Sequence, residues 1–176
     1  EALNRANSAL AAITGAQTDR MTRDDGWQLL AIGRHIERLS FLTSVLDLAV
    51  TSGLLNNPNT DSSGYIALLA LFDSTITFHA QHQQSRELEP LIELLVLDDE
   101  NPRSLAWVSK ALRARLSKLA GTERNQPDAL TRSVTSLQDY SLENLCLRDA
   151  SGALYNLRNC FSNCSYSAWS ASDEIS

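Results

Sequence analysis

Residues 23–52 contain no proline, and they are bracketed by helix punctuation: acidic Asp24 and Asp25 at one end and Gly53 at the other. Acidic residues stabilise a helix N-terminus, and a glycine just past the last turn supplies the left-handed backbone that ends one. Thr22 followed three residues later by Asp25 resembles a capping box. The stretch therefore predicts one helix of about 30 residues, long enough to span a domain. Whatever fold the chain adopts must be organised around that rod.

The remainder agrees with an all-α reading. Only 7 glycines and 4 prolines occur in 176 residues, and Leu, Ala and Ser dominate, which favours helices over sheets. NNPNTDSSG at 56–64 reads as a loop. Beyond it the patterning predicts a helix over 65–83 and a short one over 90–97, where Leu91, Leu94 and Leu95 share a stripe. In DDENPRS at 98–104, Asn101 is the expected N-cap and Pro102 the first residue of a helix reaching Leu119. Residues 121–127 break it, and helices over 128–148 and 151 to the end follow. With the N-terminal helical pattern of Leu3, Leu10 and Ile13, the expectation is an antiparallel bundle of about seven helices in a single domain over 1–176. Both ends read as lying inside helices, so the expectation is a piece of a longer polypeptide.

Charge and composition exclude some classes. The net charge is −6, and no run of Lys or Arg forms a stripe able to track a nucleic-acid backbone, which argues against nucleic acid as a partner. No window of about 18 apolar residues suggests a membrane span, and the first residues lack a leader pattern. Three cysteines, Cys146, Cys160 and Cys164, are an odd number that suits packed thiols in a reducing, cytoplasmic setting. No nucleophile elbow, phosphate-binding loop or zinc-protease helix occurs. No cofactor is implied.

The residues demanding explanation lie in MTRDDGWQLLAIGRHIERL at 21–39. At about 100° per residue with Trp27 as zero, Leu30, Phe41, Val45 and Leu48 fall within about 60° of it, and so do Arg34 and Arg38, with Glu37 about 80° away. That wheel predicts charges interrupting a buried face, with Gly33, Ser40, Ser44 and Asp47 on the wet side. Buried charges need partners. Asp73, Asp98, Glu87 and Glu89 are candidates, and Arg103, beside Asn101, is expected to join Glu37 in one polar cluster. Arg34, Glu37, Arg38, Asp73, Asp98, Asn101 and Arg103 then form either an internal network that fixes helix register or a site for a carboxylate, phosphate or peptide end. A weaker alternative is a metal site from His79, His82, Glu87 and Glu89; the Glu-x-x-His pair of di-metal bundles is absent.

Gly33 to Arg38, G-R-H-I-E-R, preceded by M-T-R-D-D-G-W at 21–27 and followed by D-x-x-N-P-R-S at 98–104, resembles the bacterial alpha-E family, named for its Glu-Arg motif. L-F-D-S-T-I-T-F-H-A-Q at 71–81 and the closing S-D-E-I-S are similar to the version fused to the C-terminus of circularly permuted ATP-grasp proteins. The resemblance implies a helical domain that is the second of two related halves. It implies as partners an ATP-grasp domain and the first half, or a second copy of the chain. It also implies a non-catalytic accessory or substrate-positioning role in an ATP-dependent ligase system that makes or modifies peptide-like amide bonds.

Overall fold

The computed structural model describes residues 1–55, 63–83, 85, 87–120 and 129–175. Among them are nine α-helices and one π-helical turn: α1 (Ala2–Arg20), α2 (Asp25–Thr51), α3 (Ser63–Leu71), α4 (Thr75–His82), α5 (Leu88–Ile92) running into the π turn Glu93–Leu97, α6 (Leu105–Leu119), α7 (Ala129–Ser133), α8 (Leu142–Cys146) and α9 (Tyr155–Glu174). The fold is all-α, with no strand among the described residues. The count exceeds seven because two of the expected helices are each divided in two. The expected loop at 56–64 and break at 121–127 lie outside the described residues, apart from the opening of α3 at Ser63 and Gly64. No described helix is long and apolar enough to cross a membrane.

The long helix forms as expected, with one correction at its start. Asp24, not Thr22, is the N-cap: its Oδ1 accepts the Trp27 N–H at 2.9 Å. An aspartate at this position both satisfies a free amide and faces the positive end of the helix dipole. At the other end Gly53 takes φ +74°, the left-handed stop.

Helix α2 packs on α6 and α9. His35 meets Trp107 near the start of α6, and Gln28 meets Arg115 in its second half. Asp47, near the end of α2, meets Arg158 at the start of α9. Both neighbours therefore run antiparallel to α2. Its buried stripe is Gln28, Ala31, Ile32, Ile36, Leu39, Leu42, Thr43, Leu46 and Ala49, in steps of three and four. α9 answers with Leu157, Cys160, Phe161, Cys164, Ser167, Ala168 and Ala171, and α6 with Leu105, Val108, Leu112 and Leu116. The apolar residues from Ile32 to Ala49 in the α2 stripe and those of α6 and α9, joined by Leu91, Leu94 and Leu95, form one core. The three cysteines are free thiols, Cys160 and Cys164 being packed within it.

That stripe overturns the wheel drawn from Trp27. Phe41 and Leu48 are 52% and 66% exposed, and Arg34 and Glu37 lie open beside them. α2 carries apolar residues on two arcs, so periodicity alone was ambiguous. The arc holding Ile32, Leu39 and Leu46 is buried because it is the one that α6 and α9 cover.

Two expected helices are broken. The one over 65–83 divides at Phe72–Ser74, where Asp73 adopts φ +48°. Aspartate tolerates this left-handed backbone better than most residues, and the carboxylate there is ion-paired to Arg103. The one over 128–148 divides into α7 and α8. Side chains from neighbouring helices satisfy the backbone between them: Arg113 donates to the Val134 carbonyl at 2.6 Å, Ser109 donates to the Thr135 carbonyl, and Ser167 Oγ accepts the Thr135 N–H at 2.9 Å. Tertiary partners thus replace helical hydrogen bonds.

Candidate functional site

The turn before α6 is tied by its own side chains. Asp98 Oδ1 accepts the N–H groups of Glu100 (2.9 Å) and Asn101 (3.1 Å). Asn101 donates to the Leu94 carbonyl at 2.9 Å, which the π turn leaves available, and its Oδ1 accepts the Arg103 N–H at 3.1 Å. Ser104 rather than Asn101 caps α6, accepting the Trp107 N–H at 3.0 Å and donating to the Asp98 carbonyl. Pro102 and Arg103 accordingly precede the helix. Asn101 is a buried brace for the turn, a role that an Asx side chain fills as readily as a cap.

This turn aims Arg103 at two groups. Its guanidinium pairs with Asp73 at the α3–α4 break, and its positive charge bears on Arg38 of α2. Of the seven expected cluster residues, the structure thus brings Arg38, Arg103, Asp73, Asn101 and Asp98 into one connected region. Arg34 and Glu37 stand apart from it. Arg34 turns outward and donates to Gln17 of α1. Glu37 is exposed and makes no ion pair among the described residues, so it does not join Arg103.

The seam where the first half of α2 meets α6 holds a set of cations that the sequence reading did not assemble. Arg23 and Arg115 lie over the Trp27 ring at 4.0 and 4.7 Å, a cation–π arrangement that spreads their charge on an aromatic face. Arg115 also reaches Gln28 Oε1 at 3.4 Å. One turn before Arg38, His35 stands edge-on to Trp107 with ring centroids 5.8 Å apart. Burial, then the charges of Arg115 and Arg38, push the His35 pKa from 6.5 down to about 4, so the ring is neutral at pH 7. Arg38 is itself pressed downward by burial and by Arg103, and Arg115 by burial and by Arg23; both remain cationic. Among the described residues neither forms an ion pair. The signal available in sequence was the Trp27-x7-His35-x2-Arg38 spacing on α2, but Arg115 is reached only through packing.

A second feature lies on the other side of the Asn101 turn. Gln81, His82, Glu93, Leu94, Asp98, Asp99 and Glu100 contribute to an open cleft of about 580 Å³. His79 Nδ1–H donates to the Gln83 carbonyl at 2.6 Å, and both histidines flank Phe78. Among the described residues no three His, Cys, Asp or Glu side chains converge on a metal position. His79, His82, Glu87 and Glu89 therefore do not form the weakly anticipated cluster.

An all-helical domain whose longest helix presents a Glu-Arg pair is the class that this fold and site define. The chain belongs to the Alpha-E family, described as a predicted alpha-helical domain with a conserved ER motif, whose pattern matches residues 1–176. Glu37–Arg38 is the Glu-Arg pair within the Gly33–Arg38 motif, and its two members divide between the open face of α2 and the α6 seam. The chain is 27% identical over 115 residues to the uncharacterized proteins Rv2567 and MT2643 of Mycobacterium tuberculosis, and equally to Mb2597 of Mycobacterium bovis. The matched stretch covers 65% of this chain but 13% of each relative. No solved structure matches.

Proposed function

We propose that this domain is a non-catalytic accessory module that docks beside an ATP-grasp amide ligase domain and helps position its substrate. The observation that carries the reading is α1. This helix of 19 residues buries none of its side chains against the rest of the chain, yet it displays Leu3, Leu10 and Ile13, exposed by 84%, 63% and 53%. Leu10 and Ile13 are helix neighbours, and Leu3 lies two turns before Leu10 on the same side. An apolar stripe of this kind gains stability only when another surface covers it. The ATP-grasp domain, or the first half of the Alpha-E region, is the occupant suggested by the resemblance of residues 71–81 and 172–176; a second copy of the chain is the competing one.

The test uses a longer protein that carries both domains. Leu10→Asp with Ile13→Asp should leave the unfolding midpoint unchanged while lowering ATP-dependent amide formation severalfold or more. Full activity in the double variant would overturn the docking role of α1. Sedimentation of the isolated chain separates the competing occupant: a dimer abolished by the same substitutions would assign the stripe to self-association.

A further inference from the structure

We propose that α1 closes onto the outer face of α2 as an antiparallel helical hairpin, seating its apolar stripe along the groove between α2 and α9 and covering it until a partner takes it.

The register comes from a contact already made. Gln17 Oε1 accepts a hydrogen bond from the Arg34 guanidinium, and Gln17 is half-buried whereas every other residue of α1 is exposed. Counting outward from that contact, seven residues back along α1 is Leu10 and seven forward along α2 is Phe41; a second step of seven reaches Leu3 and Leu48. Seven residues are close to two helical turns, so each set lies on one side of its helix. All four apolar residues are exposed. One contact thus aligns two uncovered stripes. Residues 21–24 alone separate α1 from α2, a link of the length that joins antiparallel helices.

The receiving surface is open at the right level. A groove of about 610 Å³ runs between α2 and α9, lined by Ser44, Leu48, Thr51, Phe161, Ser162 and Ser165. Seating Leu3 and Leu10 beside Leu48 and Phe41 removes apolar surface of both helices from water. The tether favours this occupant, because a segment held on a short link acts at a millimolar effective concentration. The α1 stripe is interrupted at Ala6 and Asn7, so closure is weak and reversible. It adds little to global stability and yields to a partner that offers a fuller stripe. Closure needs no ligase; only its consequence, competition for the α1 stripe, rests on the docking reading.

The experiment is disulfide trapping in the intact chain carrying Cys146→Ser, since Cys160 and Cys164 are buried. Ala6 and Ser44 are exposed and nearly level in this register, so Ala6→Cys with Ser44→Cys leaves Leu3, Leu10, Phe41 and Leu48 in place. In glutathione buffer this pair should form an intrachain disulfide with an effective concentration at least about tenfold above that of Ser8→Cys with Ser44→Cys, because position 8 lies on the opposite side of α1. Adding Leu10→Asp and Ile13→Asp to the first pair should remove that excess. Equal trapping of the two pairs, trapping unaltered by the aspartates, or disulfide-linked dimers in place of monomers would overturn the closure. In the longer protein with both domains, the oxidised first pair should lower ATP-dependent amide formation severalfold, reversed by dithiothreitol. Selective trapping with full activity would instead overturn the docking reading and leave the closure standing.

Discussion

Helices α1 and α9 are nearly equal in length, 19 and 20 residues, and opposite in fate: α9 buries seven side chains and α1 none. In α9 the large or packable residues recur without a gap, at 157, 160, 161, 164, 167, 168 and 171. In α1 the turn between Leu3 and Leu10 offers only Ala6 and Asn7. A filled stripe drives docking because every turn removes apolar surface from water, whereas an interrupted one leaves the ordering entropy uncompensated. A lone helix of this length is marginal in water. The same chain thus contains a helix that builds the core and one available to a partner.

The anchoring of α9 carries the largest expected effect. Phe161 is 1% exposed in the core, and Phe161→Ala should cost about 3–5 kcal/mol in urea unfolding. A loss below about 1 kcal/mol would mean that α9 is no better anchored than α1. Gly64 gives the next largest effect, because a Cβ there would stand 2.7 Å from the Leu54 backbone oxygen and 2.4 Å from its side chain. Gly64→Ala should cost about 1–3 kcal/mol by forcing Leu54 away from α3.

The α6 seam lies between the two extremes, and pH reports on it. His35 titrates near 4 in the folded chain and at 6.5 when unfolded. Above pH 6.5 both states are neutral and contribute no dependence. As pH falls from 6.5 to about 4, the unfolded chain takes up a proton that the folded one refuses, so stability declines, then levels off below 4. Partial exposure reduces the effect to about 1–2 kcal/mol. His35→Gln should flatten this part of the stability–pH curve, measured by urea unfolding at successive pH values.

The smallest effects belong to α1. Leu10→Ala and Gly15→Ala should each change global stability by less than about 0.5 kcal/mol. A Cβ on Gly15 meets nothing within 4 Å, so its substitution should raise local helicity, seen by circular dichroism of the intact chain, without raising the global midpoint. A shift of 1 kcal/mol from either would show α1 to be coupled to the core.

Helix type was legible locally, since the Asp24–Asp25 start, the Gly53 stop and the Leu91-Leu94-Leu95 stripe are features of neighbouring residues. Which arc of α2 is buried was not. Its apolar residues surround the helix, and only the approach of α6 and α9 selects Ile32, Ile36, Leu39 and Leu46 over Phe41 and Leu48. The site divided in the same manner. Arg38, Arg103, Asp73, Asp98 and Asn101 could be singled out as polar residues needing partners. Arg115, 77 positions from Arg38, joins the seam only because α6 runs antiparallel to α2.

The amino-acid sequence by itself determined that this chain is helical, where its longest helix begins and ends, and that it carries the Glu-Arg signature of its family. Those properties rest on backbone propensity, caps and spacing, which act over a few residues. Tertiary structure alone decided that Glu37 faces outward while Arg38 enters a cationic seam, and that the helices over 65–83 and 128–148 break. Burial, ion pairing and substitute hydrogen bonds come from segments distant in sequence, and their free energies exist only once those segments meet.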